Sequence, residues 1–235
     1  MQTVQNHSNK RHDFYRNIHK CLRALIADTL VRLGKLDSND EQECAAALAQ
    51  VQSLCSFTEG HLQHEDLHVH PAMEAVTPGS THAAASEHPH HVQECRQLSA
   101  LAHEALAARG EQRADLVARL YHQLGLFMAD SLHHMYMEET DNNAVLWASY
   151  SDMQLIGIEM AIVATLTPEE HGMSMRWMLP SLTPSERLEL MSGMRNGAPV
   201  QVFCGMMEAL RDFLDARQWQ LLAEGLGYES QPLAA

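Results

Sequence analysis

Aromatic residues are scarce in this 235-residue chain, which has 5 Phe, 5 Tyr and 3 Trp. No apolar run reaches the roughly 18 residues needed to cross a bilayer, so a membrane-spanning protein is not expected. The first residues, "MQTVQNHSNKRHDFYR", lack the apolar centre of a signal peptide, and the chain is expected in the cytoplasm. Cationic side chains are also few: 16 Lys and Arg against 30 Asp and Glu give a net charge of -14. With no basic stripe anywhere, that charge repels phosphate backbones and argues against a nucleic-acid partner. Cys21, Cys44, Cys55, Cys95 and Cys204 are odd in number and form no C-x-x-C pair, which suits a reducing compartment and reads as small core residues. What the chain does have is 16 His, an excess of imidazole that calls for an explanation.

Alternating, strand-like stretches are absent too, whereas apolar residues return every three or four positions up to Trp147, so the fold class is all-α. A first helix carries Tyr15, Ile18, Leu22, Ile26, Thr29 and Leu33 on one stripe. Ser38 with Glu41 forms a capping-box pattern for a second helix expected from about residue 40 to residue 73. Pro89 fits only a first turn or a kink, which puts the start of a third regular helix near 87–89; Gly110 ends it and a fourth begins near Glu111. Four long helices with short joins imply an up-down antiparallel four-helix bundle over 10–148. In the remaining segment, 149–235, Thr167 with Glu170 and Thr183 with Glu186 each flank a proline at a helix start, so a set of short helices is expected to pack on the bundle.

Helical phase decides which histidines can act together. In "HLQHEDLHVHP", His61, Glu65 and His68 continue the stripe of Leu54 and Thr58 towards Ala72, so positions that should be greasy become His, Glu, His. A buried carboxylate without a partner is costly, and a metal ion would satisfy it and the imidazoles together. "SLHHMYMEE" repeats the step, with His134 and Glu138 four apart below Leu120, Leu124 and Phe127. The first helix adds His19 between Tyr15 and Leu22, and the third adds His88 and His91 above Cys95 and Leu98. His19 and His61 are 42 residues apart and His91 and His134 are 43 apart, which suggests two related hairpins facing one site with a dinuclear stoichiometry.

These residues resemble the hemerythrin-like family over roughly 12–140. The resemblance rests on "NIHKCLRALI", "HLQHEDLHVHP", "EHPHHVQEC" and "HHMYMEE". It implies two non-haem iron ions, joined by an oxo or hydroxo bridge and held by His19, His61, Glu65, His88, His91, His134 and Glu138, with the two glutamates bridging. It leaves open whether His88, His91 or both bind. Oxygen-carrying hemerythrins place a His pair four apart on the third helix and an Asp five after the last His; the 88/91 pair and Glu138 here are closer to the bacterial hemerythrin-like branch. The implied function is binding of dioxygen or another small diatomic ligand, for sensing, storage or delivery, without catalysis.

A ferritin-like di-iron enzyme, an oxidase, peroxidase or iron-handling protein, is the alternative, tempted by "EDLH" and "EHPH". It would need a glutamate on the first helix, where His19 stands instead. A metal-free helical protein with a pH-sensitive histidine core leaves Glu65 and Glu138 without partners. His64, His70, His90 and His133 fall off the stripes and read as surface or neighbouring groups, while His68 and Glu139 are candidates to orient a ligand by hydrogen bonding. Met173, Met175, Met178, Met191, Met194, Met206 and Met207 read as flexible core filling or a contact surface. Trp177, with Met178 and Leu179, is expected to pack on the bundle, or Trp177 to bury against a second chain, as in a homodimer through the C-terminal region.

Overall fold

A computed structural model describes residues 11–228, so Lys10 at the expected start of the bundle and the last seven residues of the C-terminal segment lie outside it. Every regular element among the described residues is helical. None of these helices is long and apolar enough to cross a membrane.

Helix α1 (Tyr15–Gly34) buries Tyr15, Leu22, Ile26, Thr29 and Leu33 of the stripe that its sequence spacing marks out, with Leu25 beside them, while Ile18 is only half-buried. Helix α2 (Glu41–His64) is capped by Asp40, whose carboxylate accepts from the Gln42 and Glu43 amides at 3.0 and 2.9 Å. Ser38 therefore does not cap it; its carbonyl accepts instead from the buried Arg113, and Glu41 pairs with Arg113 and Arg109 rather than reaching back to a cap.

After α2 the helix runs through a π turn at Glu65–Val69 into α3 (His70–Val76). One extra residue in that turn moves everything beyond it back in phase. Val69, His70 and Met73 are buried in place of the expected His68 and Ala72, which are half-buried.

Helix α4 (His82–Ala107) starts well before Pro89, which lies inside it. An interior proline removes one ladder hydrogen bond and costs roughly 3 kcal/mol. Burial of Ala84 and His88 opposes that cost, and the preceding loop is pinned where Glu74 accepts from the Gly79 amide and from the Thr81 amide and hydroxyl. Gly110, at a φ of 55° that favours glycine, turns the chain directly into α5 (Gly110–Met137). A second π turn, Glu138–Asn142, follows α5 and leads into α6 (Asn143–Ser149).

The contacts of the four long helices close a ring: α1 lies on α2, α2 on α4, α4 on α5 and α5 on α1. Leu25, Ile26, Leu48, Leu54, Leu98, Leu120, Leu124 and Phe127 fill the space between them. Each such side chain contributes about 1.5–3 kcal/mol by leaving water.

The later helices are α7 (Asp152–Val163), α8 (Pro168–Ser181), α9 (Pro184–Gly197), α10 (Val200–Leu210) and α11 (Ala216–Leu226). Both expected capping boxes are present, at Thr167 with Glu170 and Thr183 with Glu186. Helix α7 shares a core with Phe14, Tyr15, Val69, Met73 and Leu146. Helix α8 lies along α1 and sends Met173 and Trp177 against the main core. Its opposite face carries Met175 and Leu179 into a second apolar cluster with Met191, Phe203 and Met207, so Leu179 faces away from the main core. Cys21, Cys44, Cys55 and Cys95 are buried free thiols, and Cys204 is half-buried.

Candidate metal centre

Six of the sequence-predicted residues converge in one layer of the helical ring. His19 comes from α1, His61 from the last turn of α2, His88 from α4 and His134 from the last turn of α5, while Glu65 and Glu138 open the two π turns. They form two groups able to hold a metal ion: His19, His61, Glu65 and Glu138, and Glu65, His88, His134 and Glu138. Both glutamates belong to both groups.

The distances show how the sharing works. Glu65 Oε1 lies 3.2 Å from His61 Nε2 and 4.0 Å from His19 Nε2, while its Oε2 lies 3.7 Å from His88 Nε2. Glu138 Oε2 is 3.3 Å from His19 Nε2, and its Oε1 is 3.3 Å from His134 Nε2 and 3.9 Å from His88 Nε2. Each carboxylate thus turns one oxygen towards each pair of imidazoles.

None of these approaches is aligned as a hydrogen bond. The Nε2 atoms of His19, His61, His88 and His134 and all four oxygens of Glu65 and Glu138 are buried without a partner. Buried polar atoms are almost always satisfied, so eight orphans in one layer fit a set of donors around a cation. Unpartnered nitrogen and carboxylate oxygen, with no thiolate among them, make a donor set that suits a divalent first-row transition metal.

The outer faces of the imidazoles are fixed by carboxylates. His19 Nδ1 donates to Glu139 at 3.0 Å, His88 Nδ1 to Asp66 at 2.9 Å, and His134 Nδ1 to Glu87 at 2.8 Å. An ionised carboxylate only accepts, so the proton sits on Nδ1 and the Nε2 lone pair points inward, free to coordinate. Arg23 holds Glu139 in turn through two contacts of 2.6 and 3.1 Å. Glu139 therefore fixes the ring of His19, a candidate ligand, whereas His68, the other residue expected to orient one, is half-buried beside a surface cavity with Ala72 and Tyr150.

His91 is buried, with its ring 4.8 Å from His134 and 6.3 Å from Phe127 and its Nδ1 3.2 Å from Glu94. It groups with Glu87 and His134 rather than with the shared glutamates. His70, read from the sequence as off the stripe, is buried by the π-turn phase shift. It stacks on His88 at 5.0 Å, approaches Asp66 at 3.0 Å through Nδ1, and has no partner for Nε2. Sequence spacing assigns no role to Asp66 or Glu94, and gives Glu87 one only in the ferritin-like alternative, as the acid of "EHPH". A usable signal is that Asp66 and Glu87 each adjoin a ligand candidate, Glu65 and His88, as Glu139 adjoins Glu138.

Electrostatics in the layer follow from two acids sharing a dry space. Burial, reinforced by the charge of Glu138, pushes the Glu65 carboxyl well above its usual range. Burial acts on Glu138 in the same sense, but His134, His19 and His88 outweigh it and hold that carboxyl low. Burial and the neighbouring His19 keep His61 neutral far below its ordinary value, and burial with His134 lowers His91 to about 4. For His19 and His134 burial is overcome by their carboxylate neighbours, and both are raised. Tyr15, against the His19 ring at 5.1 Å, accepts at its hydroxyl from Asn142, and burial raises its phenol well above 10.0.

Compared with protein-family models, curated proteins and solved structures, the chain finds no match in any of the three.

Proposed function

We propose that this chain is a non-haem di-iron protein of the hemerythrin-like kind, built on an up-down antiparallel four-helix bundle, that binds dioxygen or a related small diatomic ligand for sensing, storage or delivery. The observation that carries this reading is the pair of His/Glu groups sharing Glu65 and Glu138 through eight buried, unpartnered donor atoms. The closed ring of contacts among α1, α2, α4 and α5 supports the bundle arrangement.

In this reading Glu65 and Glu138 bridge, because a carboxylate can give one oxygen to each of two ions whereas an imidazole offers a single lone pair. His19 and His61 serve one ion, and His88 and His134 the other. Each group then offers two nitrogens and two oxygens. Iron commonly takes about six ligands, which leaves positions for an exogenous ligand and for His91 beside His134. Iron held there would supply the redox chemistry and open coordination that dioxygen or nitric oxide requires.

The protein's own residues do the rest. Glu139, Asp66 and Glu87 keep three imidazoles in the tautomer that coordinates. Leu22, Ile26, Leu54, Leu124 and Phe127 wall the layer off from water on one side, and Tyr15, Val69, Met73 and Leu146 do so on the other. Metal analysis of the purified chain tests the reading, with an absorption spectrum taken before and after exposure to dioxygen and to nitric oxide. About two irons per chain and a ligand-dependent spectrum are expected; one ion per chain, or zinc alone from iron-replete cells, would overturn it.

A further inference from the structure

Helical serine and threonine hydroxyls in this protein usually return to the carbonyl of the preceding turn. Thr29, Ser53, Thr140, Ser174 and Ser181 all do so, at 2.6–3.1 Å. Two buried ones do not. Thr58 on α2 and Ser131 on α5 are 6% and 8% exposed, and neither hydroxyl has a hydrogen-bond partner.

Their positions are equivalent. Thr58 precedes His61 by three residues and Glu65 by seven; Ser131 precedes His134 by three and Glu138 by seven. Seven residues are almost two full helical turns, so each hydroxyl lies on the same helix face as a shared carboxylate, with the ligating histidine between them. One turn further along, Leu54 and Phe127 resume the apolar core. The chain thus spells hydroxyl, His, Glu on both helices, and the hydroxyl layer lies between the ligand layer and the apolar core.

A buried hydroxyl left unpaired is a standing cost that alanine or valine would remove, and here it recurs at two matched positions. We propose that the Thr58 and Ser131 hydroxyls are hydrogen-bond donors to the exogenous ligand of the metal pair, and favour small ligands with an exposed lone pair or anionic character over purely apolar ones. The inference rests on the metal reading above and goes beyond it by assigning the ligand-facing groups. No bond to carbon or change of oxidation state is involved: each hydroxyl keeps its proton and only shares it.

Azide titrated against the metal-loaded protein, followed by absorption, tests this with Thr58→Val, Ser131→Ala and the double variant. Metal content and melting temperature are measured on the same samples. Each single variant is expected to keep its metal, to melt no lower than wild type, and to bind azide about tenfold more weakly, as befits one lost hydrogen bond to a charged group. Unchanged azide affinity in all three variants overturns the assignment. So does a wild-type protein that carries metal yet shows no azide response. Loss of metal or a fall of several degrees in melting temperature would make the hydroxyls parts of the scaffold, and would equally overturn it. A wild type without metal fails the reading of the centre itself, and is distinguished from the other outcomes by the metal analysis alone.

Discussion

Stripping metal from the protein should cost it much of its stability, and the magnitude follows from the eight orphaned atoms. They are the Nε2 of His19, His61, His88 and His134 and the four oxygens of Glu65 and Glu138. An unsatisfied buried polar atom costs about 1–3 kcal/mol, so the layer carries roughly 8–24 kcal/mol when nothing fills it. A domain's whole stability is about 5–15 kcal/mol. The metal-free protein must therefore relax: Glu65, already pushed towards its protonated form, takes a proton, and water enters the layer. If relaxation recovers about three quarters of the larger figure, some ~6 kcal/mol remain, which for a chain of this size lowers the melting temperature by roughly 12–24 °C. Far-ultraviolet circular dichroism during heating, on matched samples loaded with iron and exhaustively chelated, measures the difference. Metal analysis of both samples must accompany it. Melting curves that coincide within about 2 °C, with removal confirmed, would refute the claim that these atoms are held for a cation.

Further expectations are more local. Glu65→Ala and Glu138→Ala should each disturb both metal ions, whereas His91→Ala, which removes a side chain outside both shared groups, should affect one at most; metal counts and magnetic coupling report this, and a Glu138→Ala protein with two normally coupled irons would rule out bridging. Glu139→Ala leaves His19 Nδ1 and Arg23 without their acceptor and should weaken metal affinity by about 10–100-fold in competition with a chelator; an unchanged affinity would deny it an orienting role. In the metal-free protein His91 stays neutral until about pH 4, while in the unfolded chain it takes a proton near 6.5. Its folded value is depressed, so its contribution is complete above about 6.5 and is lost as pH falls towards 4, worth at most about 3 kcal/mol. The raised values of His19 and His134 work in the opposite sense, so the comparison is between wild type and His91→Gln: the variant's stability should fall less steeply from pH 6.5 to 4, and parallel curves would contradict the assignment.

The inward face of the site was legible in the sequence because it obeys the ordinary helical period. His61 with Glu65 and His134 with Glu138 are four apart, and the greasy stripes of Leu54 and of Leu120, Leu124 and Phe127 fix which way those steps point. What lay beyond each glutamate was not legible. A π turn has no side-chain signature of its own; it forms where tertiary packing favours one extra residue in the turn, and it exchanged His68 and Ala72 for Val69, His70 and Met73. Pro89 misled for a related reason. Local chemistry makes proline a helix start, but burial of His88 and Ala84 carried α4 back to His82. The Asp66 and Glu87 contacts run between helices, so no spacing along the chain announces them. Their neighbours in sequence do, since a residue next to an inward ligand is rotated by about 100° towards an adjoining helix.

The departures from ordinary helical rules are not scattered. Two π turns begin at the two shared glutamates, a proline sits one residue after His88, and four imidazoles and two carboxylates turn buried, unpaired atoms inward. Each is unfavourable alone, and well-packed leucines in the same layer would be neutral or stabilising for a protein that needed only to fold. Beyond the Thr58 and Ser131 hydroxyls the rules return: Leu54, Leu98, Leu124 and Phe127 are apolar, in phase and fully enclosed. Natural sequences break local consistency where function requires it and keep it elsewhere. The same pattern of violation on α2 and α5, with His, Glu and a π turn in the same order on both helices, places two matched half-sites opposite a single point. A histidine core kept only as a pH sensor would not need two acids there, since three of the four imidazoles already have a charged partner outside, at Glu139, Asp66 and Glu87. The inner glutamates have no such employment, and the proposed pair of cations between them would give each of the layer's eight orphaned nitrogen and carboxylate atoms a partner at once.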